Sequence, residues 1–377
     1  MFTSFHNLIR GAMLLLTVST LSQPAVAQTP GERGAVFAMT NRAGRNQVVS
    51  FRRNTDGTLS FVARYGTGGS GQGVDFDTQG GLTLNSAHTY LYACNPATDN
   101  VTVFKVEGPR LRVVQIVPAG DQPLSITLSG NLAYVLDGSV AGNGITGFTV
   151  GANGRLTPLA NSFKMLSSPI AVPGEVLFTP SGRHLVVTHK VGSAIDVFPV
   201  GTDGLAGDPV PYASAGPRPF AAAFRNDGRL FVIESGLPAF DNTGVSSYMM
   251  NSLTGALSVI TTSAKNAQTD GCWIVISNDQ NYAYTANFVN GTISSYRLGA
   301  DGTAILLNGA AGASGGDSNV TDLGLSSDGR YLYNLLRGTG AIAAYRVVGD
   351  GSLAPIGNFG VGTGLIRDNG PSGLAAY

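Results

Sequence analysis

Seven polar side chains in this chain have the chemistry to bind and turn over a small polar molecule. They are His189 and Lys190 in "VVTHKVG", Arg218 in "GPRP", Glu234 in "FVIES", Asn287 in "TANFVN", Asp322 in "VTDLG" and Arg337 in "LLRGTG". Arginine and lysine would hold a carboxylate, a phosphate or a developing oxyanion, arginine through its two-pronged guanidinium. Histidine or glutamate would carry the proton. The rest of the sequence adds little of this kind: four histidines are present in all, and no His, Cys and Glu cluster has metal-ligand spacing. No metal is therefore expected.

These residues need elements that bring them together, and a repeat supplies them. "LNSAHTYLYACN" (84–95), "FTPSGRHLVVTH" (178–189), "FRNDGRLFVIES" (224–235), "ISNDQNYAYTAN" (276–287) and "LSSDGRYLYNLL" (325–336) are one phrase, a polar corner running into an apolar strand. Short strands then end on an aromatic residue: Phe51, Phe104, Phe148, Phe198, Tyr248, Tyr296 and Tyr345. Most are followed by a Gly-centred turn and another strand, as in "NTDGTLSF" and "VGDGSLAPI". Asp-Gly and Asn-Gly between alternating runs signal hairpins. Each period of about 50 residues thus reads as four antiparallel strands, and such a unit repeated around a ring is a β-propeller. The expected fold is all-β, with seven four-stranded blades. "GPSGLAAY" at the end supplies the first strand of a blade whose other three strands are "GAVFAMTN", "QVVSF" and "LSFVARY" at the mature start, so the two ends should close the ring.

In that geometry the ends of second strands and the starts of first strands meet at one mouth of the channel, where several blades can converge on a ligand. His189, Lys190, Glu234, Asn287 and Arg337 fall at or near second-strand ends; Arg218 and Asp322 fall at or before first strands. His88 and His184 follow the opposite turns and belong to the far face. The glycine-rich "GTGGSGQG" (66–73) reads as a flexible loop between blades, since no helix follows to make a phosphate cradle.

Residues 1–27 read as an export signal: a basic start, an apolar run from Ala12 to Leu21 and the small-residue end Ala25-Val26-Ala27, with cleavage before Gln28. The run is too short to span a bilayer, so a secreted or periplasmic protein is expected, with 28–377 as one propeller domain and no membrane span. Net charge is zero and only 12% of residues are charged, which leaves no basic stripe for nucleic acid. Cys94 and Cys272 are too few for a disulfide framework and belong to distant blades, so both should be free. A monomer is expected.

The 50-residue blades, the "PSGR" and "SSDGR" corners, the "DGTL" and "DGSL" turns and Gly216-Pro217-Arg218 resemble the seven-bladed lactonase propellers, which include 6-phosphogluconolactonases and carboxymuconate cyclases. The resemblance covers nearly the whole mature chain. It implies a cofactor-free enzyme that hydrolyses or forms a lactone of sugar-acid or muconate type, with a small lactone or an anionic sugar-like molecule as ligand. It carries Arg218 and Glu234 over as catalytic positions; His189 joins them as a proton carrier, and Lys190, Asn287, Asp322 and Arg337 as substrate-binding positions. Two departures stand out. The family's Pro-His-x-His stretch falls on Val172-Pro173-Gly174, and its Gly-Pro-Arg-His becomes Gly216-Pro217-Arg218-Pro219. A non-catalytic propeller binding a protein, glycan or small ligand at the same mouth is the alternative.

Overall fold

The computed structural model describes Met1 and residues 34–377, except positions 75 and 141. The expected export signal, Met1 aside, lies outside the described residues. Seven antiparallel sheets follow one another around a ring. From the inside outward, blade 1 consists of Leu374–Ala376, Ala35–Met39, Gln47–Arg53 and Leu59–Gly66. Blade 2 is Leu82–Leu84, Tyr90–Asn95, Asn100–Glu107 and Arg110–Pro118. Blade 3 is Pro123–Ser129, Leu132–Asp137 and Gly144–Val150, with its outer edge split into Leu156–Pro158 and Lys164–Met165.

Blade 4 is Pro173–Phe178, His184–His189, Ala194–Pro199 and Val210–Ala213. Blade 5 is Pro219–Phe224, Leu230–Glu234, Gly244–Met250 and Leu257–Lys265. Blade 6 is Gly271–Ile276, Tyr282–Asn287, Thr292–Leu298 and Ala304–Ala313. Blade 7 is Val320–Leu325, Tyr331–Leu336, Ala341–Val347 and Leu353–Phe359. Each innermost strand packs against that of the next blade, and Leu374–Ala376 touches both Val320–Leu325 and Leu82–Leu84, so the ring is closed by the chain's two ends.

The repeated corners owe their shape to a left-handed residue. Gly182, Gly228 and Gly329 have φ of 69°, 86° and 68° there, and in blades 2 and 6 His88 and Gln280 take the same slot at 54° and 64°. In the outer hairpins the aspartate of Asp-Gly caps the turn: Asp56, Asp203, Asp301 and Asp350 each accept a backbone N–H two residues on. Neighbouring blades are then stapled. Tyr92, Tyr134 and Tyr333, all buried, donate their hydroxyls to the carbonyls of Gly154, Gly204 and Gly57 in the next blade's outer turn. Cys94 and Cys272 are free and buried, in blades 2 and 6.

The channel is filled from the mouth side. The described residues of the 67–81 connection, which leads from blade 1 to blade 2, are pinned rather than loose: Asn41 accepts the N–H of Gln72, and the Asn41 carbonyl that of Gly73. Further along, Thr78 donates to the Leu124 carbonyl of blade 3 at 3.0 Å and receives the Trp273 indole of blade 6 at 3.4 Å. Gln79 crosses the axis. Its amide donates to Glu175 of blade 4 at 3.1 Å and to the Ile274 carbonyl of blade 6 at 3.2 Å, and its oxygen accepts the Ile274 N–H at 3.0 Å.

Candidate active site

Two positions repeat at the mouth of every one of blades 3 to 7. The residue before the first strand is left-handed: Gln122, Val172, Arg218, Asp270 and Asn319 have φ of 59°, 44°, 59°, 60° and 45°. Its carbonyl accepts the N–H of the residue just past the second strand, which is Gly138, Lys190, Ser235, Phe288 or Arg337. This clasp fixes where Arg218, Lys190 and Arg337 emerge. Lys190 and Arg337 occupy the same slot in blades 4 and 7.

The last residue of the second strand is Asn95, Asp137, His189, Glu234, Asn287 and Leu336 in blades 2 to 7. All six are buried. Their partners lie diagonally across on the third strand. Asn95 donates to Thr102 at 3.0 Å, Thr146 donates to Asp137 at 2.7 Å, and Asn287 donates to Ser294 at 2.9 Å while accepting from Asn266 at 3.1 Å. His189 Nε2 lies 3.0 Å from Asp196 Oδ2. Asp196 also accepts the N–H and hydroxyl of Ser167 at 2.8 and 2.6 Å. Burial pushes its carboxyl up, but the hydrogen bond and charge of His189, with those from Ser167, hold it below the usual aspartate range. In blade 7 the pair is apolar, Leu336 with Ala343. These are latches, and His189 and Asn287 are members of them.

Glu234 occupies the same slot and, like Asp137, whose Oδ1 is buried without a partner among the described residues, is not fully satisfied there. Its Oε2 accepts the Ser263 hydroxyl at 2.7 Å, while Oε1, also buried, has no hydrogen-bond partner among the described residues. Burial pushes its pKa up to about 7, against the pull of Ser246, Ser263, Lys265 and the Gly216 N–H. Gly216 must lack a side chain, because a Cβ there would sit 2.4 Å from Glu234 Oε2. The backbone brings Arg218 and Glu234 to the same corner of blade 5: Pro219 pairs with Glu234 across the two strands, and the Ser235 N–H reaches the Arg218 carbonyl at 3.0 Å. Arg218 Nε and Ser235 Oγ are buried and likewise lack partners among the described residues. The Arg218 N–H donates to Ser193 Oγ at 3.0 Å, tying the corner to the blade 4 turn that carries Lys190.

The other expected binding residues are engaged elsewhere. Lys190 is buried, donating to the Asp77 carboxylate at 2.6 Å and to its backbone carbonyl, over the Phe220 ring at 4.5 Å. Asp322, on the inner strand of blade 7, accepts the Gly373 N–H at 2.9 Å. Arg337 lies over the Phe288 ring, 5.7 Å from its centroid. Of the seven, the structure brings Arg218 and Glu234 to one corner, with His189 and Lys190 on the adjoining turn; Asn287, Asp322 and Arg337 belong to blades 6 and 7.

One functional-looking group, Asp196, escaped the sequence reading. Asp196 stands where other blades have Thr102, Thr146, Ser246 or Ser294, so stacking the repeats would have exposed it. Glu175, in the channel, accepts the Ala222 N–H at 2.8 Å as well as Gln79. Burial, reinforced by the charge of Asp322, pushes it up to about 8 despite those hydrogen bonds. Among the described residues no three His, Cys, Asp or Glu side chains gather as a metal site, and no helix is long and apolar enough to cross a membrane.

A family model for the lactonase seven-bladed β-propeller matches residues 44–173 and 187–315. The chain belongs to that family. The match lapses over 174–186, the first hairpin of blade 4, where Glu175 enters the channel. A 6-phosphogluconolactonase of Serratia proteamaculans is 21% identical over 273 residues, which is 71% of this chain and 80% of the relative. Among solved structures, the Pseudomonas aeruginosa periplasmic gluconolactonase superposes with a TM-score of 0.69 at 17% identity, covering 91% of this chain and 98% of the other. A candidate 6-phosphogluconolactonase from Bacteroides fragilis gives 0.71 at 18%, covering 93% and 100%. At these identities the structures speak for the fold.

Proposed function

We propose that this propeller opens a lactone ring by hydrolysis at the blade 5 corner, with Glu234 as base, Arg218 as the cation at the oxyanion, and no cofactor. The observation that carries the reading is that these two residues, one acidic and one basic, stand at one corner, Pro219 pairing with Glu234 and the Arg218 carbonyl holding the Ser235 N–H, each with a buried polar atom unpartnered among the described residues. Such atoms are costly to leave unpaired in a fold and become useful when a substrate supplies the partner. Glu234 takes a proton from water as its oxygen attacks the lactone carbonyl carbon. Arg218 holds the negative charge that develops on the carbonyl oxygen. When the ring C–O bond breaks, the proton on Glu234 passes to the departing alkoxide, giving the hydroxy acid and restoring the carboxylate. A pKa near 7 suits a group that must first accept and then return a proton. The His189–Asp196 pair positions the adjoining turn.

The test is proton release from purified protein with a panel of lactones, comparing wild type with Glu234→Gln. Loss of turnover in the variant, with its fold intact, is the expected result; equal turnover would place the chemistry elsewhere. We also propose export, on the signal at 1–27 and on the periplasmic location named for the Pseudomonas protein. Intact mass of the secreted or periplasmic protein should correspond to a chain beginning at Gln28; a chain retaining Met1 would refute it.

A further inference from the structure

Beside the candidate corner, on the other flank of the 190–193 turn, the mouth holds a cavity of about 410 Å³ between blades 3 and 4. Its volume is that of a small-molecule site. Its walls are Phe76, Leu124, Val140, Ile170, Val172 and Val191. Four of these keep much of their surface in solvent: 72% for Val140, 59% for Ile170, 44% for Val172 and 41% for Val191. Four large aliphatic side chains converging on one exposed hollow differ from the singly scattered apolar residues usual on a protein surface.

The backbone holds them there at a cost. Val172 has a φ of 44°, a conformation that a β-branched residue rarely adopts. It is locked by the Lys190 N–H on its carbonyl and by the Val191 N–H on the Ala171 carbonyl. Blades 3, 5, 6 and 7 fill the same slot with Gln122, Arg218, Asp270 and Asn319, so the corner itself does not ask for an aliphatic side chain.

The charge in the cavity is already satisfied. Among the described residues that line it, Lys190 contributes the one cation, which is matched by the Asp77 carboxylate at 2.6 Å and capped by the Phe220 ring. A phosphate or carboxylate entering here would meet no uncommitted cation among the described lining residues, and it would meet the Asp77 charge. Asn143, whose amide donates to the Ser168 carbonyl at 3.0 Å, adds a neutral polar edge.

We infer that this cavity receives an alkyl or aryl substituent of the lactone, making the substrate an uncharged lactone with an apolar arm. Of the two ligands expected from the sequence, a small lactone or an anionic sugar-like molecule, the cavity suits the first. The inference rests on the lactone-hydrolase reading for the ring, which the Arg218–Glu234 corner would open while the arm lies across the 190–193 turn.

Two measurements separate the inference from that reading. The first is hydrolysis of γ-lactones with side chains of one to six carbons, with gluconolactone for comparison. The second is calorimetric binding of the matching alkyl lactams, which report binding without turnover. Each added methylene should tighten lactam binding and raise kcat/KM by about 3–4-fold. Ile170→Glu and Val140→Glu change exposed positions and should fold normally; both should abolish the chain-length dependence while leaving turnover of the shortest lactone unchanged. Gluconolactone turnover with no dependence on chain length overturns the inference and leaves the hydrolase intact. Chain-length-dependent lactam binding with no turnover of any lactone does the reverse. A dependence that persists in both variants also overturns it.

Discussion

At the scale of single residues, the slot at the end of the second strand shows how one position serves two ends. Asn95 and Asn287 spend their hydrogen bonds inside the blade, and His189 is paired with Asp196; Glu234, like Asp137 of blade 3, retains a buried oxygen without a hydrogen-bond partner among the described residues, and of the two it is Glu234 that stands at the corner of Arg218. Its pH behaviour should therefore be visible in two opposed ways. As a base it works when ionised, so kcat/KM should rise with pH through a limb near 7. Its pKa is raised on folding, so its contribution to stability is full below about 4.5 and is lost as pH rises through 7. Glu234→Gln should abolish the kinetic limb, lower turnover by at least ~100-fold and melt less pH-dependently than wild type across that window. Arg218→Ala should cost ~100-fold or more, while His184→Ala, on the far face, should leave activity unchanged. A rate profile flat between pH 5 and 9 would refute the role given to Glu234. Counting strands was enough to place these residues at the mouth. It could not tell which would turn inward, because that depends on a diagonal partner on the next strand, such as Asp196 or Ser294, and on loops from the preceding blade.

At the scale of elements, the repeat and its turns were readable because each blade restates the same local chemistry: a left-handed glycine, a capping aspartate, an aromatic strand end. The connection over residues 67–81 was not. It is rich in glycine and has no periodicity, and its partners lie roughly 40 to 200 residues away in blades 3, 4 and 6. Nothing local distinguishes such a plug from a slack linker. Gln79 is its keystone, joining Glu175 to Ile274 across the axis. Gln79→Ala would leave the Ile274 N–H and carbonyl and one side of the Glu175 carboxyl unpaired, for a loss of about 2 kcal/mol. Urea unfolding should show a lower midpoint with an unchanged slope. If the midpoint does not move, the plug is not fastening the inner strands together.

At the scale of the whole molecule, the fold depends on one short strand. Leu374–Ala376 pairs with Ala35–Met39 and packs against the innermost strands of blades 2 and 7, so the last residues of the chain sit inside its most buried layer. Their fastening is dense. The Met39 N–H reaches the Gly373 carbonyl at 3.1 Å, the Tyr377 N–H reaches the Ala35 carbonyl at 3.0 Å, and the Tyr377 hydroxyl donates to Gly108 of blade 2 at 2.9 Å. Arg53 grips the Tyr377 carbonyl at 3.0 Å, and His88 stacks on its ring at 5.0 Å. Deleting 373–377 removes all of this together with the burial of Leu374 and Tyr377, each side chain worth roughly 1.5–3 kcal/mol. It also leaves Ala35–Met39 as an unpaired inner edge, a ready template for another chain. The truncated protein should melt well below the full chain and form oligomers or aggregates at concentrations where the full chain does not. A substitution that spares the strand separates the two effects: Tyr377→Ala should lower the melting temperature without inducing association. Light scattering and thermal melts on the three proteins decide it, and a truncated chain that melts like the full-length protein would mean that the ring holds without its seam.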